Sequence, residues 1–277
     1  MCDWCHRFGE EGGNWHLNPA NYARRLYKIR KEESAAPGAE ANPQTTLDEA
    51  ISPELLEAKE NNDLVTYHRL VKELEEAAYR VHFGQVVTLD ELLKALDLVY
   101  PICLMACGCR RISQGLSDEE NFTCIGMGPG MYKWERWPET YRGGVEFVHP
   151  DDARELLSKL NKRGFVQTVF TFGTPYLAGI CNCEYPDCLA IRHRLDYGIK
   201  TLWKGHLVAR VQPELCTGCG VCASRCQFRA INLNPSTNVA YIDMSQCFGC
   251  GQCLNACKPE AISLVERRSM PALANAW

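Results

Sequence analysis

One cysteine pattern occurs twice near the C-terminal end of the chain. Residues 216–231 read CTGCGVCASRCQFRAI, and residues 247–262 read CFGCGQCLNACKPEAI. Both copies have the spacing C-x2-C-x2-C-x3-C, and every cysteine of the first copy has its counterpart 31 positions later. Small residues between the cysteines, such as Gly218 and Gly249, allow the backbone to turn tightly around a bound group. The repeat therefore predicts two metal-binding loops of one kind.

The chain of 277 residues contains 17 cysteines, which implies either a disulfide framework or metal ligation. Its N-terminal stretch has no basic segment followed by an apolar one, as a secretory signal would have. The longest apolar run, residues 98–107, is too short to cross a bilayer. We therefore expect a cytoplasmic protein with reduced, metal-ligating thiols. The net charge of −4 argues against nucleic acid as a partner.

The repeat resembles the bacterial two-[4Fe–4S] ferredoxin over residues 211–265. The resemblance implies a β-α-β repeat and two [4Fe–4S] clusters, in which the fourth cysteine of each motif ligates the cluster of the other motif. Carried onto this sequence, it gives one cluster to Cys216, Cys219, Cys222 and Cys257, and the other to Cys247, Cys250, Cys253 and Cys226. The alternative is a pair of four-cysteine zinc sites.

The sequence departs from the ferredoxin pattern directly after each fourth cysteine. The family usually has proline there, whereas Gln227 and Lys258 occupy these positions and Pro259 follows one place late. We expect the additional N–H group near one cluster and the cation near the other to shift the reduction potentials, because hydrogen bonds and local charge tune them.

The remaining sequence predicts an α+β fold in front of the ferredoxin-like domain. We expect an N-terminal head (1–33), a linker of small residues (34–46), a cysteine-rich α+β domain (47–210), the ferredoxin domain (211–265) and a tail (266–277). Apolar residues at helical spacing predict one helix over residues 67–81 that stops at Gly84, a second from Thr88, and a third from Pro150 to Gly164. Residues 85–87, 145–148 and 165–170 are typical of strands.

Nine cysteines lie outside the repeat. Six of them form two C-x-C pairs, each followed by a later cysteine: Cys107, Cys109 and Cys124, and Cys181, Cys183 and Cys188. We expect Gly108 and Asn182 to turn the chain tightly, so that both thiols of a pair reach one metal. Arg110 and Arg111 would offset the negative charge of the thiolates. Cys103 has an apolar setting that is typical of a packed thiol without a ligand role.

The other two cysteines open the chain. Cys2, Cys5 and His6 match the attachment pattern of c-type haem. Haem attachment normally follows export, so we expect Cys2 and Cys5 to bind metal instead, with His6 as a further candidate ligand. With Cys103 set aside, eight cysteines suffice for two four-cysteine sites. We expect one or two further [4Fe–4S] clusters there, and the alternative is one structural zinc site with spare thiols.

Several stretches outside and inside the repeat resemble a family of cysteine-rich 4Fe–4S dicluster proteins of anaerobic bacteria: HFGQVV, CGCR, TPYLAGICNC, CLAIR, SRCQFRAI and CFGCGQC. The resemblance implies iron–sulfur redox chemistry without a defined activity. The leading hypothesis is an electron-transfer protein that serves an anaerobic oxidoreductase complex as a subunit, with a redox protein as its partner. The alternatives are a reductase or activase whose middle-domain cluster has an open coordination site, and a zinc-stabilised adaptor that carries a ferredoxin module.

Overall fold

A computed structural model describes residues 8–9, 14–18, 52–114, 122–128, 145–171 and 177–276. Cys2, Cys5, His6 and the predicted linker lie outside the described residues. The helices are α1 (Pro53–Glu60), α2 (Leu64–Val81), α3 (Leu89–Ala95), α4 (Gly108–Gln114), α5 (Pro150–Arg163), α6 (Leu189–Asp196), α7 (Val221–Arg225) and α8 (Gln252–Ala256). The strands are β1 (Gly84–Val86), β2 (Ile102–Ala106), β3 (Phe122–Met127), β4 (Val145–Phe147), β5 (Val166–Phe170), β6 (Gly179–Cys183), β7 (Leu202–Trp203), β8 (Leu207–Val211), β9 (Ile231–Leu233), β10 (Ala240–Ile242) and β11 (Ile262–Glu266).

Seven strands form one sheet in the order β4-β2-β3-β6-β5-β1-β7. Neighbouring strands are antiparallel, except that β1 and β7 run parallel. Because β3 lies between β2 and β6, three parts of the chain that are distant in sequence meet in the sheet. Helices packed on a largely antiparallel sheet agree with the predicted α+β class. Within the described residues, no helix has the length and apolar character needed to span a membrane.

One face of the sheet carries the main apolar core. Leu92 of α3 and Leu157 of α5 are fully buried there together with Ile125 of β3 and Ile180 of β6. Successive strand residues face opposite sides of a sheet. Cys124 and Cys181, the neighbours of these two isoleucines, therefore lie on the other face.

The helix ends follow from their capping residues. The Thr88 side chain accepts a hydrogen bond from the N–H of Glu91, whose carboxylate in turn accepts from the N–H of Thr88 at 2.9 Å, which forms the predicted capping box of α3. α5 begins with Pro150 and ends before Gly164, whose φ of 106° terminates the helix as expected. α2 ends at Val81 rather than at Gly84, because His82 adopts the left-handed conformation.

Both cysteine motifs fold into a loop, a short helix (α7 or α8) and a strand (β9 or β11). β8 pairs with β11, and β9 pairs with β10, in both cases antiparallel. The predicted boundary at residue 211 falls inside β8, so residues 207–210 belong with the ferredoxin strands. Arg267 and Leu273 of the predicted tail are buried, so the tail packs on the same domain.

Candidate metal centres

Four cysteines of the ferredoxin domain surround one cavity, and the second motif contributes one of them. We call them the outer cluster set: Cys216, Cys219, Cys222 and Cys257. The pKa of Cys222 is raised by burial, and further by the negative charges of the other three thiols. Cys219 is exposed, so the set lies at the surface of the protein.

The other four cysteines of the domain form a second group, to which the first motif contributes one member. We call them the inner cluster set: Cys226, Cys247, Cys250 and Cys253. Burial raises the pKa of Cys250 to about 12, with further contributions from the charges of Cys247 and Cys226. In both sets the fourth cysteine of one motif thus lies beside three cysteines of the other, the arrangement that the ferredoxin resemblance implies.

The backbone around both sets fits a cluster. Gly218 and Gly249 have φ values of 69° and 74°. A Cβ atom at Gly218 would lie 2.2 Å from the carbonyl oxygen of Asn238, and one at Gly249 would lie 2.1 Å from that of Leu207. Only glycine allows these loops to pack so closely.

Backbone N–H groups also point at the thiols of both sets. Ala240 donates to the Sγ of Cys216, Ala209 to that of Cys247 and Ala230 to that of Cys226, each over 3.4 Å. Such donors stabilise thiolates, and they tune the potential of a cluster that the thiolates bind.

The two motifs differ in what surrounds them. Phe248 and Gln252 of the second motif are 5 % and 1 % exposed, whereas their counterparts in the first motif, Thr217 and Val221, are exposed. The buried residues face the seven-stranded domain, where the Gln252 Nε2 donates to the carbonyl oxygen of Phe165 at 2.7 Å. The two motifs therefore differ in sequence at the positions where the second motif contacts the rest of the protein.

Gln227, which stands where ferredoxins usually have proline, connects the two domains. Its Oε1 accepts from the N–H of Tyr185 at 2.9 Å, and its Nε2 donates to the carbonyl oxygen of Gly164 at 2.7 Å. Lys258, the equivalent residue of the other motif, is exposed. Proline at position 227 would remove both bonds, so the departure from the family pattern has a structural reason that the sequence did not reveal.

We expect Gln227→Pro to lower the free energy of unfolding by about 1–3 kcal/mol, because it leaves interdomain hydrogen-bonding groups without their partner. Lys258→Pro is the matched control and should have little effect. Anaerobic urea denaturation of the three proteins measures the difference. Equal stability of the two proline variants would show that Gln227 does not connect the domains.

Six of the remaining cysteines converge in the middle domain, where each thiol lies beside two others in a ring that we call the six-cysteine site. Around the ring the order is Cys107, Cys109, Cys188, Cys183, Cys181 and Cys124, which returns to Cys107. Hydrogen bonds from the adjacent thiols hold the pKa of Cys107 and of Cys183 below that of an ordinary thiol. Four of the six are buried. The structure thus brings together every ligand candidate of the middle domain.

Strand geometry explains how the second C-x-C pair meets. We expected Asn182 to make a tight turn, and this expectation is wrong, because Cys181, Asn182 and Cys183 lie in β6. Residues two apart in a strand share one face, which places both thiols on the same side. The Asn182 side chain lies between hydrogen-bond partners: its Oδ1 accepts from Gln167 at 3.1 Å and its Nδ2 donates to the carbonyl oxygen of Thr123 at 2.7 Å.

Neighbouring elements hold the other members of the ring. Cys107 directly follows β2, and Cys109 lies in the first turn of α4. Cys188 is the N-cap of α6. The preceding residue, Asp187, ties this helix to α4, because its carboxylate accepts from Ser113 Oγ at 2.6 Å and from Gln114 Nε2 at 2.5 Å.

Arg110 is a buried cation beside the ring. Its guanidinium donates to Thr123 Oγ1 at 2.6 Å and to the carbonyl oxygen of Asn182 at 2.9 Å, and it lies 4.3 Å from the centre of the Phe165 ring. Its charge also contributes to lowering the pKa of Cys107, after the thiol hydrogen bonds. Arg110 is 5 % exposed, whereas Arg111 is partly exposed. Of the two arginines in the motif, Arg110 is the one built into the site.

Cys103 packs next to the ring in the same apolar cluster, and burial raises its pKa to about 11. Among the described residues, no three or more His, Cys, Asp or Glu side chains converge on a point that could hold a single metal ion.

One apolar cluster contains thiols of the six-cysteine site together with residues next to the inner cluster set. Cys183 and Cys188 are buried in it with Phe228 and Phe248, and Cys226 packs against it. The rings of Phe228 and Phe248 are stacked, with centroids 3.9 Å apart. Sequence reasoning missed both phenylalanines, although the repeat breaks at each of them.

A chain of amide hydrogen bonds makes a second connection. Gln167, which donates to Asn182 of β6, accepts from Asn161 Nδ2 at 2.7 Å. The Oδ1 of Asn161 accepts from Asn255 Nδ2 at 2.6 Å, and Asn255 lies in α8, between Cys253 and Cys257. The six-cysteine site and the ferredoxin domain are therefore joined by an apolar and by a polar contact.

Comparison with known protein families agrees with this geometry. The family model described as a 4Fe-4S dicluster domain matches residues 215–261. This segment is a 4Fe–4S dicluster domain. It supports two [4Fe–4S] clusters and a role in iron–sulfur electron transfer. The match covers both cysteine motifs and leaves the six-cysteine site outside it. The comparison with curated proteins gives no match.

Proposed function

We propose that the chain is an electron-transfer protein in which the six-cysteine site and the two clusters of the dicluster domain form one relay. The observation that carries this proposal is one shared apolar cluster. In it, Cys183 and Cys188 of the six-cysteine site lie with Phe228 and Phe248, which are next to the inner cluster set. Redox centres exchange electrons when they are close and separated by packed protein. The inner cluster set is then the link between the six-cysteine site and the outer set.

In this proposal the outer set binds one [4Fe–4S] cluster through Cys216, Cys219, Cys222 and Cys257. The inner set binds the other through Cys247, Cys250, Cys253 and Cys226. The six-cysteine site binds a further iron–sulfur centre, for which thiolates are the preferred ligands. Metal binding by Cys2 and Cys5 remains a prediction from the sequence.

We propose that a redox partner docks at the surface around the outer cluster set. Leu215 and Val221 next to it are 45 % and 46 % exposed, and Cys219 is exposed as well. A redox centre whose ligand Cys219 is exposed is accessible to a partner protein. We therefore propose that the chain serves an oxidoreductase complex as a subunit, in a reducing, anaerobic cytoplasm, and passes electrons to or from its partner at this surface.

Stepwise reduction of the anaerobically prepared full chain tests the proposal. Two [4Fe–4S] clusters take up about two electrons per chain, one each. We expect an uptake above this value, with the excess assigned to the six-cysteine site, and rapid equilibration among all centres. An uptake of about two electrons, with zinc in the protein, would instead support the adaptor that carries a ferredoxin module.

A further inference from the structure

Three basic side chains surround the loop that opens the second cysteine motif. The guanidinium of Arg267 donates to the carbonyl oxygen of Cys247, a member of the inner cluster set, at 2.6 Å. The guanidinium of Arg194 and the amino group of Lys204 lie 5.1 and 5.8 Å from the centre of the ring of Phe248, the next residue. We call Arg194, Lys204 and Arg267 the inner cations. All three approach the same end of the inner cluster set.

The inner cations have no acidic partner within the part of the chain that the structure describes, because none of them makes a salt bridge there. Two acids of adjoining segments have other partners. Glu266 pairs with Arg268 at 2.8 Å, and Asp243 accepts from the N–H of Ser245 at 2.9 Å. Arg267 is 6 % exposed, and its Nη1 is buried without a hydrogen-bond partner. Since a buried cation is costly without a negative group nearby, we infer that the anionic cluster itself supplies the counter-charge.

The outer cluster set differs in the charges around it. Lys204 donates to the carbonyl oxygen of Ser245 at 2.5 Å, whereas the counterpart of Ser245 in the first motif is an exposed acid, Glu214. The cation next to Cys257 is Lys258, and it is exposed. Water screens an exposed charge, while charges in the protein interior interact more strongly. The duplicated motifs therefore place their two clusters in different electrostatic surroundings.

We propose that the inner cations give the inner cluster a higher reduction potential than the outer cluster, so that the inner cluster holds the first electron. One electron then moves from the reduced outer cluster, which is oxidised, to the oxidised inner cluster, which is reduced, and no proton is transferred. This inference rests on the proposed function and adds a direction to it. Electrons enter from the partner at the outer set and move toward the six-cysteine site.

Two opposing effects decide the order of the potentials. Reduction adds a negative charge to a cluster, so nearby cations favour the reduced form, whereas burial away from water disfavours it. The low dielectric that makes burial unfavourable also strengthens the attraction of the three cations. Hydrogen bonds act in the same direction as the cations, since Ala209 and Ala230 donate to thiols of the inner set. We therefore expect the cations to outweigh burial.

A potentiometric titration of the anaerobically prepared full chain, followed by EPR spectroscopy, tests the order of the two clusters. We expect the signal of the inner cluster to appear first as the potential is lowered. Cys226→Ala and Cys257→Ala identify the signals, since each variant should lack one of them. Reduction of the outer cluster first would overturn the inference. This order is measurable even when zinc occupies the six-cysteine site, so its failure is distinct from the failure of the proposed function.

Neutral replacements of the inner cations test the cause. Lys204→Met and Arg267→Met should each shift the equilibrium for electron exchange between the two clusters about tenfold toward the outer one, which corresponds to about 59 mV for one electron. Arg267→Lys keeps the charge and should stay near the wild-type potential. Lys258→Met, the matched control at an exposed cation, should leave the inner potential unchanged.

The Lys204 variant decides the test if Arg267→Met does not assemble the inner cluster, because Arg267 also donates to backbone carbonyl groups around the loop. Lys204 is only partly buried, so its replacement should leave both clusters in place. A lowered inner potential in Lys204→Met supports the inference. An inner potential equal to that of the wild type, with both clusters assembled, would show that the cations do not set the order.

Discussion

Replacing Cys226 by alanine should remove the inner cluster and leave the outer one assembled. Cys226 lies in the first motif, but its neighbours are Cys247 and Cys250 of the second motif. The variant should therefore lose about four irons per chain and the EPR signal of one cluster. It should also disconnect the six-cysteine site from the outer set, because the inner cluster is the link between them in the proposed relay.

Cys257→Ala is the reciprocal control. Cys257 lies beside Cys222 of the first motif, so this variant should lose the outer cluster and keep the inner one. Electron exchange between the inner cluster and the six-cysteine site should then continue. If Cys226→Ala instead loses the cluster of Cys216, Cys219 and Cys222, each motif closes on itself and the crossed ligation is refuted.

Replacing Arg110 by methionine should destabilise the six-cysteine site strongly. The guanidinium is buried beside thiols with lowered pKa, and it makes hydrogen bonds with Thr123 and Asn182. Removal of one partner from a buried ionic arrangement costs about 3–5 kcal/mol. We expect loss of iron from the middle domain and a lower midpoint in anaerobic denaturation, while the iron of the dicluster domain remains.

Arg111→Met is the matched control for this substitution, since Arg111 is adjacent in sequence and partly exposed. It should retain the wild-type iron content and stability. Arg110→Lys should have an intermediate effect, because lysine keeps the charge but cannot make both guanidinium bonds. Wild-type iron content and stability in Arg110→Met would show that the cation does not support the site.

The sequence predicts those features of the protein that depend on residues close together in the chain. The capping box at Thr88, the helix from Pro150 to Gly164 and the duplicated cysteine loops are all local patterns, and the structure contains each of them. The departure at Gln227 was visible in the sequence, but its partners, Tyr185 and Gly164, are 42 and 63 residues away. No local pattern predicts such a contact.

The six-cysteine site shows more clearly that local sequence patterns do not predict contacts between distant residues. Spacing identifies the two C-x-C pairs and their later cysteines, so the members were predictable. Their grouping was not, because it depends on β3 lying between β2 and β6 in the sheet. That order places Cys124 next to Cys181 and completes a ring that two independent motifs would not form.

EPR spectroscopy of the fully reduced full chain tests the relay most directly. We expect a signal from a third centre, assigned to the six-cysteine site, that is broadened by magnetic interaction with the inner cluster. This interaction should disappear in Cys226→Ala and persist in Cys257→Ala. A third signal that is unchanged in Cys226→Ala, or only two interacting clusters with zinc bound at the six-cysteine site, would show that the three centres do not form a relay.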